Sequence, residues 1–486
     1  MTDSNLTDRN APWRVELRDA ITAKERTAIP RVEMPMQEPG ERVHNNREVN
    51  LGLTPLQAVT EATRCLDCPE PGCIQGCPVS INIPSFIKNI QRGDIAGAAH
   101  VLAMSSSLPA VCGRVCPQER QCESKCIYLK MRKPAVAIGY LERYAADTAR
   151  EQKLLPAPVN MAQRGTKIAV AGSGPAGLSF AGEMARLGYD VTVFEALHEI
   201  GGVLKYGIPE FRLPNRVVDA ELDRLREAGV KFEKGTVIGK TLAYDDLLNA
   251  GFRGVFVASG AGLPRFMGIP GENLNGVLSS NEYLTRVNLM GAGQPGSMTP
   301  VDRGSRVVVV GGGNTAMDSV RTARRMGAEE AIIVYRRGRD EMPARVEEIE
   351  HAEQEGVKLL TLHNPVEFIG DDSGHVCAVR LQRMELGEPD ASGRRSPRPV
   401  EGDIVEMPVD EVIVSVGVSP NPLIPSAIDG LDVTNRGTIS VDLGLRSSIS
   451  TIYAGGDIVR GGATVILAMG DGKRAAASMH AALKEN

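Results

Sequence analysis

The sequence predicts an α/β fold in which two parallel-sheet units follow a small helical domain, and three observations predict it. Eight of the nine cysteines fall in two tight groups between positions 65 and 126. A strand–glycine turn–helix pattern occurs twice, near 167–188 and 306–327. After about residue 164 strands alternate with helices, the pattern of parallel sheets. A length of 486 residues suits roughly three domains. The divisions read from these changes of texture are 1–160 for the helical domain, 161–285 with 421–486 for the first α/β unit, and 286–420 for the second.

Composition excludes several classes. Forty-two percent apolar residues and 52 glycines suit globular α/β domains with a sizeable core. A formal net charge of −5 gives no reason to expect nucleic acid or an anionic membrane as a partner. No apolar run approaches the roughly 18 residues that span a bilayer. Met1 to Asn10 is too polar for a secretory signal. The expectation is a soluble, cytoplasmic protein.

Residues 11–50, interrupted by Pro12, Pro30, Pro35 and Pro39, read as an irregular arm laid over another surface. Thr54-Pro55 is an N-cap followed by proline in the first turn, so a helix should reach Arg64 and deliver Cys65 and Cys68. Short helices are expected over 84–91 and 94–104, a longer one over 135–150, and a linker over 155–164.

Cys65, Cys68, Cys73 and Cys77 are spaced C-x2-C-x4-C-x3-C, with Pro78 after them. Cys112, Cys116, Cys122 and Cys126 are spaced C-x3-C-x5-C-x3-C, with Pro117 after the second. Four thiolates per group are what one metal centre needs. Bacterial ferredoxins use a related run ending in Cys-Pro, whose fourth cysteine ligates the other cluster. Structural zinc and disulfides are the alternatives. Zinc prefers C-x2-C pairs across a longer loop, and one pair here has that spacing. Disulfides suit small secreted domains. Two iron–sulfur clusters are the better reading, and they would also staple a small domain.

The first α/β unit runs from strand 167–171 into Gly172-Ser173-Gly174-Pro175-Ala176-Gly177, then a helix, then strand 190–194 ending at Glu195. Gly172 allows the tight turn, Gly174 lets backbone approach a pyrophosphate, and Gly177 lets the helix pack on the sheet. The helix N-terminus offers free N–H groups to phosphates, and Glu195 is placed to accept from an adenosine ribose hydroxyl. The second unit runs from strand 306–310 into Gly311-Gly312-Gly313-Asn314-Thr315-Ala316, with Ala316 as an accepted variant of the third glycine. Its second strand, 331–335, ends on Arg336 and Arg337 rather than a carboxylate. Arginines pair with a 2′-phosphate that a carboxylate would repel, so this site should prefer NADP(H).

Two nucleotide sites point to a flavin and a nicotinamide. The first unit should hold FAD, because a strand at 451–457 ends in Gly-Asp and leads to a helix from about Thr464. Asp457 could hold a ribityl hydroxyl, and the helix start at Thr464 and Val465 could face the flavin edge that gains negative charge on reduction. Strands ending at Gly260 and Gly417 mark the crossings between the units. Over 371–402, alternation from Val376 to Leu386 predicts a strand and then an exposed hairpin tip whose charges form a solvated surface. Cys377 on that strand reads as a packing residue. The fold class is thus two Rossmann-like dinucleotide-binding domains (FAD and NADPH) preceded by a small α-helical iron–sulfur domain.

The cysteine spacing, Gly113-Arg114-Val115-Cys116-Pro117, and Ala137-Ile138-Gly139 with Leu141-Glu142-Arg143 resemble the small (beta) subunit of NADPH-dependent glutamate synthase. So do Gly201-Gly202-Val203-Leu204-Lys205-Tyr206-Gly207-Ile208-Pro209, Phe211-Arg212-Leu213-Pro214, and Tyr335-Arg336-Arg337 with Met342-Pro343-Ala344. The resemblance covers nearly all of the chain after about residue 40. The module is also similar to the large subunit of the bifurcating NADH-dependent ferredoxin:NADP oxidoreductase, to sulfide dehydrogenase, and to the N-terminal part of dihydropyrimidine dehydrogenase. Dihydropyrimidine dehydrogenase substitutes a glutamine for one ligand, whereas here all eight thiols are present.

The resemblance implies two 4Fe–4S clusters with crossed ligation, one on Cys65, Cys68, Cys73 and Cys126 and the other on Cys77, Cys112, Cys116 and Cys122. It implies FAD near Gly172, Gly174, Gly177, Glu195, Gly202, Asp457, Thr464 and Val465, and NADPH near Gly311, Gly313, Asn314, Ala316, Arg336 and Arg337. The function it implies is an NADPH-oxidising electron-input subunit. Hydride would pass to FAD and single electrons through the clusters to a glutamate synthase large subunit, or to another redox partner protein, in a hetero-oligomer that forms glutamate from glutamine and 2-oxoglutarate. The alternatives are the large subunit of a bifurcating or sulfur-reducing relative, and a non-catalytic assembly or sensor subunit. Thr2 rather than cysteine follows Met1, so glutamine hydrolysis is not expected of this chain. No C-x2-C follows either glycine motif, which argues against disulfide chemistry. No general acid or base is called for, so no catalytic residue is assigned.

Overall fold

Thr54 caps the Pro55–Arg64 helix as its sequence predicts: its side chain accepts from the Gln57 N–H while Gln57 reaches back to the Thr54 N–H. The computed structural model describes residues 3–155 and 164–484, and the expected linker at 155–164 lies almost wholly outside them. The helices Ile83–Gln91, Ile95–Ala103 and Ile138–Glu151 lie within three residues of expectation at each boundary. Their apolar faces share one core that includes Phe86, Ile90, Leu102 and Leu141.

The arm before residue 50 is less irregular than expected. It contains short helices at Asp3–Thr7, Pro12–Asp19, Ala23–Ala28 and Pro39–Arg42. Pro12 and Pro39, read from sequence as breakers, occupy first-turn positions, where the missing N–H costs nothing. The arm does lie over other surfaces. Arg14 and Arg18 close on the buried carboxylate of Asp67, at 2.6 and 2.8 Å, between Cys65 and Cys68 in sequence.

Each α/β unit is built on five parallel strands. In the first sheet the order is Ile452–Ala454, Phe252–Val257, Lys167–Ala171, Asp190–Glu195, Lys231–Lys234. In the second it is Val277–Ser279, Glu411–Val414, Arg306–Val310, Glu330–Tyr335, Lys358–Thr361. Both place the strand that feeds the glycine turn at the centre, where strand order reverses and a crevice opens. Strand 277–279 pairs within the second sheet, although the sequence division at 285 put it in the first unit. The crossings lie just after Gly260 and Gly417, where Leu263–Pro264 pairs antiparallel with Val418–Ser419.

A three-stranded antiparallel sheet, His363–Gly370, Val376–Pro389 and Arg395–Pro408, covers one face of the second sheet through Phe368, Val379 and Leu381. Its long hairpin is the one the alternation at 376–386 predicts. Cys377 lies on that strand but is exposed, not packed, because it falls on the outward phase of the alternation. Among the described residues no helix is long and apolar enough to cross a membrane.

The arm and the second unit are joined by buried ions. Glu355 accepts from Arg42 at 2.9 Å, Arg321 at 2.8 Å and Arg325 at 2.7 Å, all four residues being buried or nearly so. The Phe211 ring lies beneath Arg321 and Arg325. Burial alone would raise the Glu355 carboxyl, but Arg321 and Arg325 outweigh it and hold it down at about 2. Glu355→Gln leaves the guanidinium groups without their shared anion and should cost about 3–5 kcal/mol at pH 7. Because folding lowers this pKa, the contribution is complete above about 4.5 and lost as pH falls towards about 2. The gap between wild type and variant in denaturant unfolding should close across that window, and a pH-independent gap would contradict ion pairing as its cause.

Candidate functional site

One cavity of about 1420 Å³ runs between the two parallel sheets and takes in the crevices of both. From the first unit, Gly172, Gly174, Glu195 and Gly202 line it, joined by Asp457, Thr464 and Val465. From the second, Gly311, Gly313, Asn314, Arg336 and Arg337 line it. Gly177 and Ala316 do not reach it. They are buried under the helix starts, where a Cβ on Gly177 would stand 2.1 Å from the Gly172 carbonyl.

The first crevice is shaped by close backbone approach. Gly172 has φ +106°, and a Cβ there would meet the Ala258 carbonyl at 2.5 Å. Glu195 sits at its strand end and is buried. Its carboxylate accepts from the Ser173 N–H and the Leu197 N–H, each at 2.9 Å, and from the Ser173 hydroxyl. These bonds fix the carboxylate and leave about one lone pair, on Oε1, for a further donor. Across the cavity Asp457 accepts from the Ala463 N–H at 3.1 Å. Burial pushes its carboxyl up to about 6, the Ala463 bond opposing and Asp471 adding to the effect. Thr464 ends the loop before the Val465–Lys484 helix, and its hydroxyl accepts from the Leu467 N–H at 3.4 Å.

The second crevice repeats the plan. Gly311 would bring a Cβ to 2.4 Å from the Ser415 carbonyl. The Asn314 side-chain oxygen already accepts from the Arg345 N–H at 2.9 Å. Arg336 is exposed at the end of its strand, whereas Arg337 is buried and paired with Asp390 at 2.6 Å. The two arginines the sequence joins are therefore not equivalent.

The cysteines approach one another in two sets. All nine are free thiols. Burial pushes the Cys73 thiol up, and Cys65, Cys126 and Cys68 beside it push it further. Cys116 hydrogen-bonds Cys112 and is acted on by Cys122 and Cys77; burial raises Cys77 to about 11, with Cys112 contributing. The first set is partly exposed and the second buried. Among the described residues no group of three His, Cys, Asp or Glu is placed to hold a metal ion. Four thiols in each set are the donor set that a 4Fe–4S cluster takes.

The two sets have different titratable neighbours. Lys88 donates to the Cys65 carbonyl and to Gln91, each at 2.7 Å, beside the first set. Glu142, beside the second, is buried with Oε1 unpartnered, and burial pushes it up to about 8. Val115 and Pro117, flanking Cys116, reach the cavity wall.

Sequence reasoning missed the residues that tie these parts together. Met469 puts its sulfur 3.5 Å from Cys112. Asp471 is fully buried, accepting from the Gly456 N–H at 3.0 Å and from Arg460 and Arg474 at 2.6 Å. The flanking Gly470 and Gly472 were the available signal. Arg212, in the Phe-Arg-Leu-Pro run, reaches Asp318 at 2.6 Å on the cavity wall.

Comparison with known proteins matches residues 42–154 to the family model described as dihydropyrimidine dehydrogenase domain II, 4Fe-4S cluster. Residues 145–483 match the pyridine nucleotide-disulphide oxidoreductase model. The glutamate synthase [NADPH] small chain of Azospirillum brasilense is 37% identical over 461 residues, covering 93% of this chain and 94% of that one. The NADPH-Fe(3+) oxidoreductase subunit beta of Geobacter sulfurreducens is 35% identical over 459 residues, 89% of this chain and 66% of that one. Among solved structures, Mycobacterium tuberculosis FprA in complex with NADPH superposes with a TM-score of 0.55 at 22% identity, over 66% of this chain and 86% of that one, a likeness of fold.

The helix crossing beside the first crevice makes a direct test of this geometry. A Cβ on Gly472 would lie 2.4 Å from the Ala176 carbonyl and 2.8 Å from the Phe180 N. Gly472→Ala should lower unfolding free energy by about 1–3 kcal/mol, read by urea titration. An unchanged midpoint would mean that the helices are not in contact there.

Proposed function

Because the chain belongs to the family of glutamate synthase small chains, joining a 4Fe-4S module to a pyridine nucleotide-disulphide oxidoreductase module, we propose that it is the NADPH-oxidising electron-input subunit of a glutamate synthase. The observation that carries this reading is the single cavity that joins both crevices and touches the loop around Cys116. A nucleotide in each crevice would meet its neighbour there, beside the second thiol set.

In this reading Gly172 and Gly174 let backbone N–H groups meet the FAD pyrophosphate, and Glu195 accepts from its ribose. Gly202 packs on Gly174, where a Cβ would come to 2.9 Å of its Cα, and so keeps that approach open. Asp457 orients the ribityl chain, and the N–H groups at Thr464 and Val465 favour negative charge at the end of the flavin facing them. Gly311, Gly313 and Asn314 cradle NADPH, and Arg336 meets its 2′-phosphate. Cys65, Cys68, Cys73 and Cys126 hold one 4Fe–4S cluster, and Cys77, Cys112, Cys116 and Cys122 the other, which the mutual proximity within each set supports. When bound, FAD and the clusters supply the conversion of a hydride into single electrons. The chain contributes position, charge and exclusion of water.

Electrons leave for a partner, which we take to be a glutamate synthase large subunit. The Geobacter relative favours a second reading, in which another acceptor takes its place. Co-purified with a glutamate synthase large subunit, the loaded chain should support NADPH-dependent glutamate formation from glutamine and 2-oxoglutarate. Dye reduction without that support would assign it to another acceptor. Cys126→Ser should remove about half of the iron and acid-labile sulfide, one of two clusters, while Cys377→Ser removes none. Equal metal content in the Cys126 variant and wild type would overturn the ligand set.

A further inference from the structure

The hairpin tip at 390–394 keeps Ala391, Ser392 and Gly393 exposed, as expected, but Arg394 lines the wall of the second crevice with Arg336 and Arg337. Two ion pairs staple it there. Asp390 pairs with Arg337 at 2.6 Å, and Arg395 with Glu341 at 2.7 Å, both partners lying just after the strand Glu330–Tyr335. The tip is also fixed internally. Asp390 N–H donates to the Arg394 carbonyl and Gly393 N–H to the Asp390 carbonyl, each at 2.8 Å, and Asp390 Oδ1 accepts from Ser392 N–H.

These contacts divide labour among three arginines. Arg337 is committed to Asp390, so much of its charge is neutralised locally, and its role is to seat the tip. Its Nε is buried without a partner, a donor left over by the pair. Among the described residues Arg336 makes no ion pair, and Arg394 makes one side-chain hydrogen bond, to the Ser392 hydroxyl at 2.9 Å. Two cations thus line the crevice from different elements, one after the second strand and one from a hairpin 58 positions later.

We propose that Arg394 is a specificity-determining residue for the 2′-phosphate of the nucleotide, forming with Arg336 a two-sided clamp that the Arg337–Asp390 pair holds in register. Two guanidinium groups on opposite sides of one phosphate give more discrimination than adjacent arginines on one strand, because each forms charge-assisted bonds to different oxygens. This inference rests on the assignment of NADPH to the second crevice.

The test is calorimetric titration of the full, cofactor-loaded chain with 2′,5′-ADP and with 5′-AMP, supported by Michaelis constants for NADPH and NADH in dye reduction. Arg394→Ala should weaken 2′,5′-ADP by about tenfold, leave 5′-AMP unchanged, and raise the NADPH constant without raising that for NADH. Asp390→Asn should also weaken 2′,5′-ADP selectively, by releasing the tip. Unchanged 2′,5′-ADP affinity in Arg394→Ala, or an equal loss for both ligands, overturns the proposal. Arg336→Ala separates the two levels: if it lowers 2′,5′-ADP affinity while Arg394→Ala does not, only the clamp fails. If neither variant affects it, the placement of NADPH fails as well.

Discussion

Five consecutive residues of one helix hold the cysteine-bearing domain against the first α/β unit. Within Val465–Lys484, Met469 meets Cys112 and accepts through its carbonyl from Ser179; Gly470 lies where a Cβ would be 3.0 Å from the Pro78 carbonyl. Asp471 fixes the Gly456 turn, Gly472 passes the Ala176 backbone, and Lys473 donates to the carbonyls of Val79 and Ser105 at 3.2 Å. A helix cannot move one of these residues without moving the rest. The distance between the cysteine sets and the first crevice is therefore fixed by rigid backbone contact, and glycines are needed because two of the contacts leave no room for a side chain.

That fixed contact gives the two thiol sets unequal positions. The second set is buried against the helix and the cavity wall, while the first is nearer solvent. Their electrical surroundings also differ, with Lys88 beside one and Glu142 beside the other. A cation favours added negative charge and a carboxylate opposes it to the extent that it is ionised. The two sets thus differ in depth and in the titratable group beside each.

Much of this was legible in the chain because the signals are local. A Thr54-Pro55-x-Gln57 start fixes a helix within one turn, and a strand running into Gly-x-Gly has few alternatives. Glu195 was readable for the same reason, since its position at the strand end follows from the turn it faces. The hairpin at 376–408 was visible in its alternation, but not where its tip goes, because Arg337 and Asp390 are 53 positions apart. Arg336 and Arg337 look interchangeable in sequence, yet their opposite burial follows from an element that the run of arginines does not mention. The edge strand at 277–279 was misassigned because a short strand carries no mark of which sheet it will join.

Residue order by itself determined which chemistry is present: eight thiols in two groups, two glycine turns that open helices, arginines where a carboxylate could have been. These are properties of spacing within about 20 residues, and local backbone geometry enforces them. Only the tertiary structure decided which thiols become neighbours, that both crevices share one cavity, and that Arg394 lines it. Such outcomes depend on contacts between segments tens to hundreds of residues apart, whose energies arise from burial and shape and leave no periodic trace along the chain.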